Sequence, residues 1–147
     1  MNQNRFTYPV LLTIDEEDGG FVVTFADIPE AITQGDTVKE ALAEAEDCLE
    51  EAIAAYMHLQ RDIPFPSNNQ NNQPVVSLAP AMTAKANIYT SMRETGFDCN
   101  KLARFINCKV EEIEKLLNPR YPADLTLLQS ALTALGKKLF LIIQNTA

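Results

Sequence analysis

Twenty carboxylates, three cysteines and one histidine are the side chains of this 147-residue chain with reactive potential. The chemistry open to so many carboxylates is metal-assisted phosphodiester cleavage. That chemistry needs several of them converging on Mg²⁺ from strands and helix ends. Their placement argues against it. The strand-like runs 6–14 and 21–25 carry none, and the acids gather in the turn at 15–18 and along 40–51, as solvated charge does. Cys48, Cys99 and Cys108 are odd in number and far apart, with no Cys-x-x-Cys pair, which suits reduced, buried thiols. His58 has no cysteine or serine close in sequence. Gly19-Gly20 sits between two strand-like runs rather than before a helix, so it is no phosphate cradle. The expectation is a protein with no catalytic residue, no metal ligand and no cofactor: not an enzyme.

The elements that position these residues are read from periodicity. Phe6, Tyr8, Val10 and Leu12 alternate with their neighbours, and Phe21-Val22-Val23-Thr24-Phe25 is a second β-branched run. The acidic-glycine turn between them predicts a hairpin. Pro9 places the first strand at an edge, or turns its N side away from a neighbour. A short third strand is expected at 31–34, ending at Gly35-Asp36. Thr37 then reads as an N-cap with Glu40 three residues on. Val38, Ala41, Leu42, Ala45, Cys48, Leu49, Ala52, Ile53 and Tyr56 form one apolar stripe of a helix over 37–59. Pro64 and Pro66 exclude helix in Ile63-Pro64-Phe65-Pro66-Ser67. The Asn/Gln tract 68–73 reads as a flexible connection within the first domain or as a linker. A fourth strand at 75–78, closed by Pro80, completes the order β-β-β-α-β. Helices follow at 82–95, 99–106, 110–118 and 124–135. Asp98 suits a cap, and Asn107 suits a tight left-handed turn. The tail 137–143, Lys-Lys-Leu-Phe-Leu-Ile-Ile, reads as a strand that pairs with its own copy across a two-fold axis, or as a buried helical end.

Charge divides the chain. Residues 1–66 hold fourteen acidic and three basic side chains, a net of −11, while 67–147 hold six acidic and nine basic, a net of +3. The acidic part favours a basic protein partner, and the mildly basic part permits DNA. No apolar run approaches the roughly 20 residues that span a bilayer. The opening MNQNRFTYPV lacks the pattern of a secretory leader, so a cytoplasmic protein with no membrane partner is expected.

Phe25-x-Asp27-Ile28-Pro29, then Thr33-x-Gly35-Asp36-Thr37, then Glu40-Ala41-Leu42 and the closing Ile63-Pro64-x-Pro66-Ser67 resemble HicB family antitoxins in order and spacing over about residues 6–80. The subgroup resembled carries a C-terminal helix-turn-helix. Lys101-Leu102-Ala103-Arg104-x-Ile106 is similar to its first helix, and Glu112-Ile113 with Leu116 to its second. Ala134-Leu135-Gly136-Lys137-x-Leu139 is similar to the exit into its terminal strand. Glu30 stands where the family often has glycine, as it does in that subgroup, and Asn107 stands at a turn position usually held by glycine.

The resemblance implies an α+β protein: residues 1–80 form a partial RNase H-like β-β-β-α-β domain that binds toxin, and 81–147 an all-α helix-turn-helix domain for DNA binding and dimerisation. The implied partner is a basic HicA-type ribonuclease toxin, occluded through Asp27, Ile28, Pro29, Glu30, Glu44, Asp47 and Glu51. The implied second role is repression of the protein's own operon. Operator double-stranded DNA would meet Arg104, Lys109, Glu111, Glu112, Lys115, Arg120 and Tyr121. The acids at 111, 112 and 114 weaken phosphate contact, so Arg104, Arg120 and Tyr121 are expected to share the work. A homo-oligomer is expected, as dimer or tetramer. The competing reading is a stand-alone transcriptional regulator whose α/β module senses a small ligand.

Overall fold

Alternating apolar residues at the N-terminus do form extended backbone, but Val10 divides them between two ladders. The computed structural model describes residues 5–69 and 72–146. It contains β1 (Thr7–Pro9), β2 (Leu11–Ile14), β3 (Phe21–Thr24), β4 (Ile32–Gly35), α1 (Val38–His58), β5 (Val75–Ser77), α2 (Pro80–Thr95), α3 (Cys99–Ile106), α4 (Val110–Leu117) and α5 (Leu125–Ala134). Contacts divide the chain into two compact units, Met1–Thr83 and Ala84–Ala147.

In the first unit β2, β3 and β4 make a three-stranded antiparallel sheet in that order, and β1 pairs antiparallel with β5. The expected hairpin is therefore β2–β3, with Leu11 opposite Thr24 and Ile14 opposite Phe21. The expected fourth strand pairs with β1 rather than with that sheet. Hydrogen bonds fall at Val10 N to Pro74 O (2.9 Å) and Leu78 N to Phe6 O (3.1 Å). The alternate residue Pro9 thus turns its missing donor away from β5. Tyr8, Val10, Val23, Phe25 and Ile28 are buried in this unit, as are Ala41, Ala45, Leu49 and Ile53 along α1. Thr37 caps α1 by accepting from Glu40 N at 3.1 Å, while the Glu40 carboxylate accepts from Asp36 N at 3.2 Å. Burial raises the Tyr8 phenol to about 12, and its hydroxyl donates to Pro64 O at 2.6 Å. Of the Asn/Gln tract, Gln70 and Asn71 lie outside the described residues; around them Asn69 and Gln73 exchange two 2.9 Å bonds.

In the second unit Ile88, Met92, Leu102, Ala103, Ile113, Leu116, Leu128, Ala131 and Leu132 form one apolar cluster across α2 to α5. Pro80 opens α2 instead of closing the preceding strand, because a helix's first N–H has no intrahelical partner to lose. Asp98 and Asp124 cap α3 and α5 by accepting from Lys101 N and Leu127 N. Asn107 ends α3 at φ 57°, ψ 55°.

The tail departs from expectation. After Gly136 the described residues form neither strand nor helix, and Phe140, Leu141, Ile142 and Ile143 are 66–92% exposed. The helical alternative is thereby overturned, since α5 stops at Ala134. Within one chain no neighbouring strand is registered for this segment among the described residues.

Candidate functional sites

The 25–31 loop is built from the inside outward. Phe25 and Ile28 are 2% and 0% exposed and point into the core. Backbone bonds Ile28 N to Phe25 O (3.3 Å) and Ala31 N to Ile28 O (3.0 Å) tie the loop to itself. Ile28 was expected to touch a partner; it anchors the loop instead, since a side chain with no exposed surface offers nothing to a docking protein. Asp27 is half-buried, and its Oδ2 accepts from Ser67 N at 3.0 Å and Ser67 Oγ at 3.1 Å. That pair joins two stretches distant in sequence, 25–29 and 63–67. Arg5 reinforces the second, donating to Ile63 O at 2.6 Å and Pro64 O at 2.8 Å, with its guanidinium 3.6 Å from the centre of the Phe65 ring. Pro29 and Glu30 remain exposed. A hydrogen bond from the Tyr56 hydroxyl, ahead of a backbone bond, holds the Glu30 carboxyl below its ordinary pKa. Of the four loop residues expected to meet a partner, then, Pro29 and Glu30 face solvent and Asp27 and Ile28 hold the loop in place.

On α1 the apolar stripe is spent on the core at Ala41, Ala45, Leu49, Ile53 and Tyr56, while Val38 at its start is exposed, as are Glu44, Asp47 and Glu51. Glu40 and Glu44 also border a cavity of about 300 Å³ with Asp18, Gly19, Gln34, Gly35 and Asp36. Among the described residues no group of three or more His, Cys, Asp or Glu is arranged to hold a metal ion. None of their helices is long and apolar enough to cross a membrane.

The second cluster surrounds α3 and α4. Cys108 N bonds to Ala103 O at 2.9 Å, and Lys109 N to the Glu112 Oε2 at 2.9 Å, so the connection between the helices is only Asn107-Cys108-Lys109. Glu112, expected as a DNA contact, thus spends a carboxylate oxygen on the start of α4. Arg104, Lys109, Glu111, Glu112, Lys115, Arg120 and Tyr121 are all exposed. Lys115 Nζ lies 5.7 Å from the Tyr121 ring centre, which brings these two together at the end of α4.

The residue that shapes this end is not among the expected site residues. Lys85, on α2, is 2% exposed, and its Nζ donates to Asn118 O at 2.6 Å and Tyr121 O at 2.5 Å. Asn118 adds its own side-chain bond to Arg120 N at 3.0 Å. The 118–121 turn therefore rests on a buried ammonium. A lysine inside an otherwise apolar helix pattern was the available signal. Lys85→Met keeps the length and removes the donors, leaving two carbonyls short of a partner at about 1–3 kcal/mol. The expected result is a lower melting temperature for the second unit and sharper loss of amide protection at 118–121 than elsewhere, read by hydrogen exchange.

Comparison with known proteins decides the family. Residues 7–87 match the model of the HicB-like antitoxins of bacterial toxin–antitoxin systems. The chain belongs to the HicB-like antitoxin family. Among its relatives, Antitoxin HicB 2 of Photorhabdus laumondii is 36% identical over 92% of this chain and 94% of that protein. Antitoxin HicB of Escherichia coli K12 is 35% identical over 92% of this chain and 98% of that protein. The likeness runs through both units, so the α2–α5 unit of this HicB-like antitoxin is shared with those relatives, not appended to it. Membership implies a toxin as partner and a regulatory rather than catalytic role.

Proposed function

We propose that this protein neutralises a HicA-type mRNA-cleaving toxin in the cytoplasm by covering its active face, and represses its own operon through α3 and α4. In this reading the first unit is a partial RNase H-like domain that grips toxin, and the second is a helix-turn-helix domain that grips operator DNA. The observation that carries it is the separation of charge by unit: a net of −11 over residues 1–66 against +3 over 67–147, with Glu30, Glu44, Asp47 and Glu51 exposed on the acidic side. A nuclease that holds RNA must present positive charge, and opposite potentials speed its encounter with an acidic surface. Occlusion asks no chemistry of the antitoxin.

On the DNA side, Arg104, Lys109, Lys115, Arg120 and Tyr121 supply donors for phosphates and base edges around the second helix of the pair. Glu111 and Glu112 would lie at the same face and temper nonspecific affinity. Recognition in this mode uses two copies one DNA turn apart. The tail 137–143, exposed from Phe140 to Ile143, is suited to make that dimer by pairing with its own copy. The experiment that tests the proposal as a whole is RNA cleavage by a purified HicA-type toxin, with and without the antitoxin.

A further inference from the structure

The three-stranded sheet packs only one of its two faces. Residues directly opposite in an antiparallel ladder share a face. Leu12, Val23 and Thr33 therefore line one side, and Leu11, Thr24 and Ile32 the other. The first is the α1 side: Val23 is fully buried, and Gly35, two residues beyond Thr33, abuts the backbone of Ala41. The second side continues into Thr13, Val22 and Gln34. There Leu11 is 55% and Ile32 61% exposed, one on each edge strand, with Val22 half-buried between those strands. A sheet face meant for water ordinarily turns polar at alternate positions. This one presents Leu, Val and Ile with two threonines and a glutamine, and it carries no charge.

The charge stands around it instead. At one end of the strands lie Asp15, Glu16, Glu17 and Asp18 of the hairpin turn, with Asp36 just after β4. At the other end lies the 25–31 loop with Asp27 and the exposed Glu30. From Phe6 to Val38 the sequence has seven carboxylates and neither lysine nor arginine. Arg61 lies close enough to Glu30 to help lower its pKa, and Lys39 follows Asp36 closely, but carboxylates outnumber cations around this face. An uncharged apolar centre with a predominantly acidic border is complementary to a basic protein that carries an apolar patch among its cations.

We infer that the open face of β2–β3–β4, centred on Leu11, Val22 and Ile32, is where the basic toxin seats. This rests on the proposed antitoxin reading and deepens it. The carboxylates of α1 lie on the other side of the sheet, so they steer approach while the sheet face holds the docked toxin. Contacts of the first kind govern association rate, and buried apolar contacts govern dissociation.

The test compares two variants of the full chain against a purified HicA-type toxin, by surface-immobilised kinetics over a range of salt. Leu11→Thr/Ile32→Thr keeps strand propensity and charge while removing the apolar centre, and each single change is measured beside the double. The double variant is expected to dissociate roughly 100-fold faster, each single about 10-fold faster, with association little changed. Glu44→Gln/Asp47→Asn/Glu51→Gln is expected to slow association several-fold at low salt and leave dissociation alone. Unaltered far-ultraviolet circular dichroism and melting show that the sheet variants fold. Wild-type dissociation by the folded double variant, while the unchanged chain still binds toxin, would overturn the inference and spare the reading. Failure of the unchanged chain itself to bind would instead sink the reading. A smaller oligomer of the free double variant would also overturn the inference, by showing that a second copy covers this face.

Discussion

Gly35→Ala is expected to unfold the first unit more effectively than any surface charge reversal. A Cβ at Gly35 would stand 2.4 Å from Ala41 N, 2.7 Å from Ala41 Cα and 2.8 Å from Glu40 C. All three atoms are backbone of α1, so no side-chain rotation relieves the clash, and the helix must move off the sheet. Overpacking of this kind costs about 1–3 kcal/mol and sometimes more; the rigid neighbours place this site at about 3 kcal/mol. For a unit of this size each kcal/mol shifts the midpoint by about 4–8 °C, so a drop of about 12–24 °C is expected by circular dichroism. Gly20 belongs to the same contact, since its Cβ would lie 2.5 Å from Gly35 O at a φ of +80°. Gly19 is the control: it also has positive φ, +76°, but nothing lies within 4 Å of its Cβ position. Gly19→Ala should therefore cost only the left-handed backbone penalty of about 1–2 kcal/mol. Equal melting of the Gly35 and Gly19 variants would show that the sheet and α1 are not in the tight register described.

Lys109→Glu/Lys115→Glu is expected to cost operator affinity about 100-fold or more near 0.1 M salt, through loss of phosphate contacts. The slope of log affinity against log salt should shrink in magnitude by about 1.8 for two lost contacts. The change leaves the fold alone for a specific reason. Lys109 serves the start of α4 with its backbone N–H, bonded to Glu112, and its side chain is free to change. Lys115 is exposed and touches the Tyr121 ring at 5.7 Å, a contact of modest worth at such a site. Toxin neutralisation should persist in this variant. A gel-shift titration on the promoter fragment, run beside the cleavage assay, reads both. Loss of both activities together would contradict the division of labour between the units.

How much of this was legible before the structure depended on how local each signal was. The Thr37 cap, the left-handed Asn107 and the limits of α3 were readable because each is set by residues within a few positions of one another. The exposure of Glu44, Asp47 and Glu51 followed from helical periodicity in the same way. Pairing was less legible. Tyr8 faces Val76 and Leu12 faces Val23, yet the two residues belong to one unbroken alternation, and the change of partner at Val10 leaves no mark in it. The loop residues were harder still, because Asp27-Ile28-Pro29-Glu30 has no period from which to tell Ile28, at the bottom of the core, from Pro29 at the surface. The bond from Ser67 to Asp27 spans forty positions. Lys85 was hidden because its use is set by two carbonyls more than thirty residues away. The tail shows the same dependence: its apolar run signals burial, yet among the described residues only Leu139 packs on the apolar cluster and 140–143 stay exposed.

An acidic HicB-like chain that disarms a basic ribonuclease by covering it must do so at a fixed molar ratio. A titration of this antitoxin into a purified HicA-type toxin, with cleavage of a defined RNA as the readout, measures that ratio. Cleavage is expected to fall linearly and end at a fixed stoichiometric ratio, the Lys109/Lys115 variant to give the same curve, and the antitoxin alone to leave RNA intact with Mg²⁺ present. Undiminished cleavage at a several-fold excess of folded antitoxin would contradict occlusion.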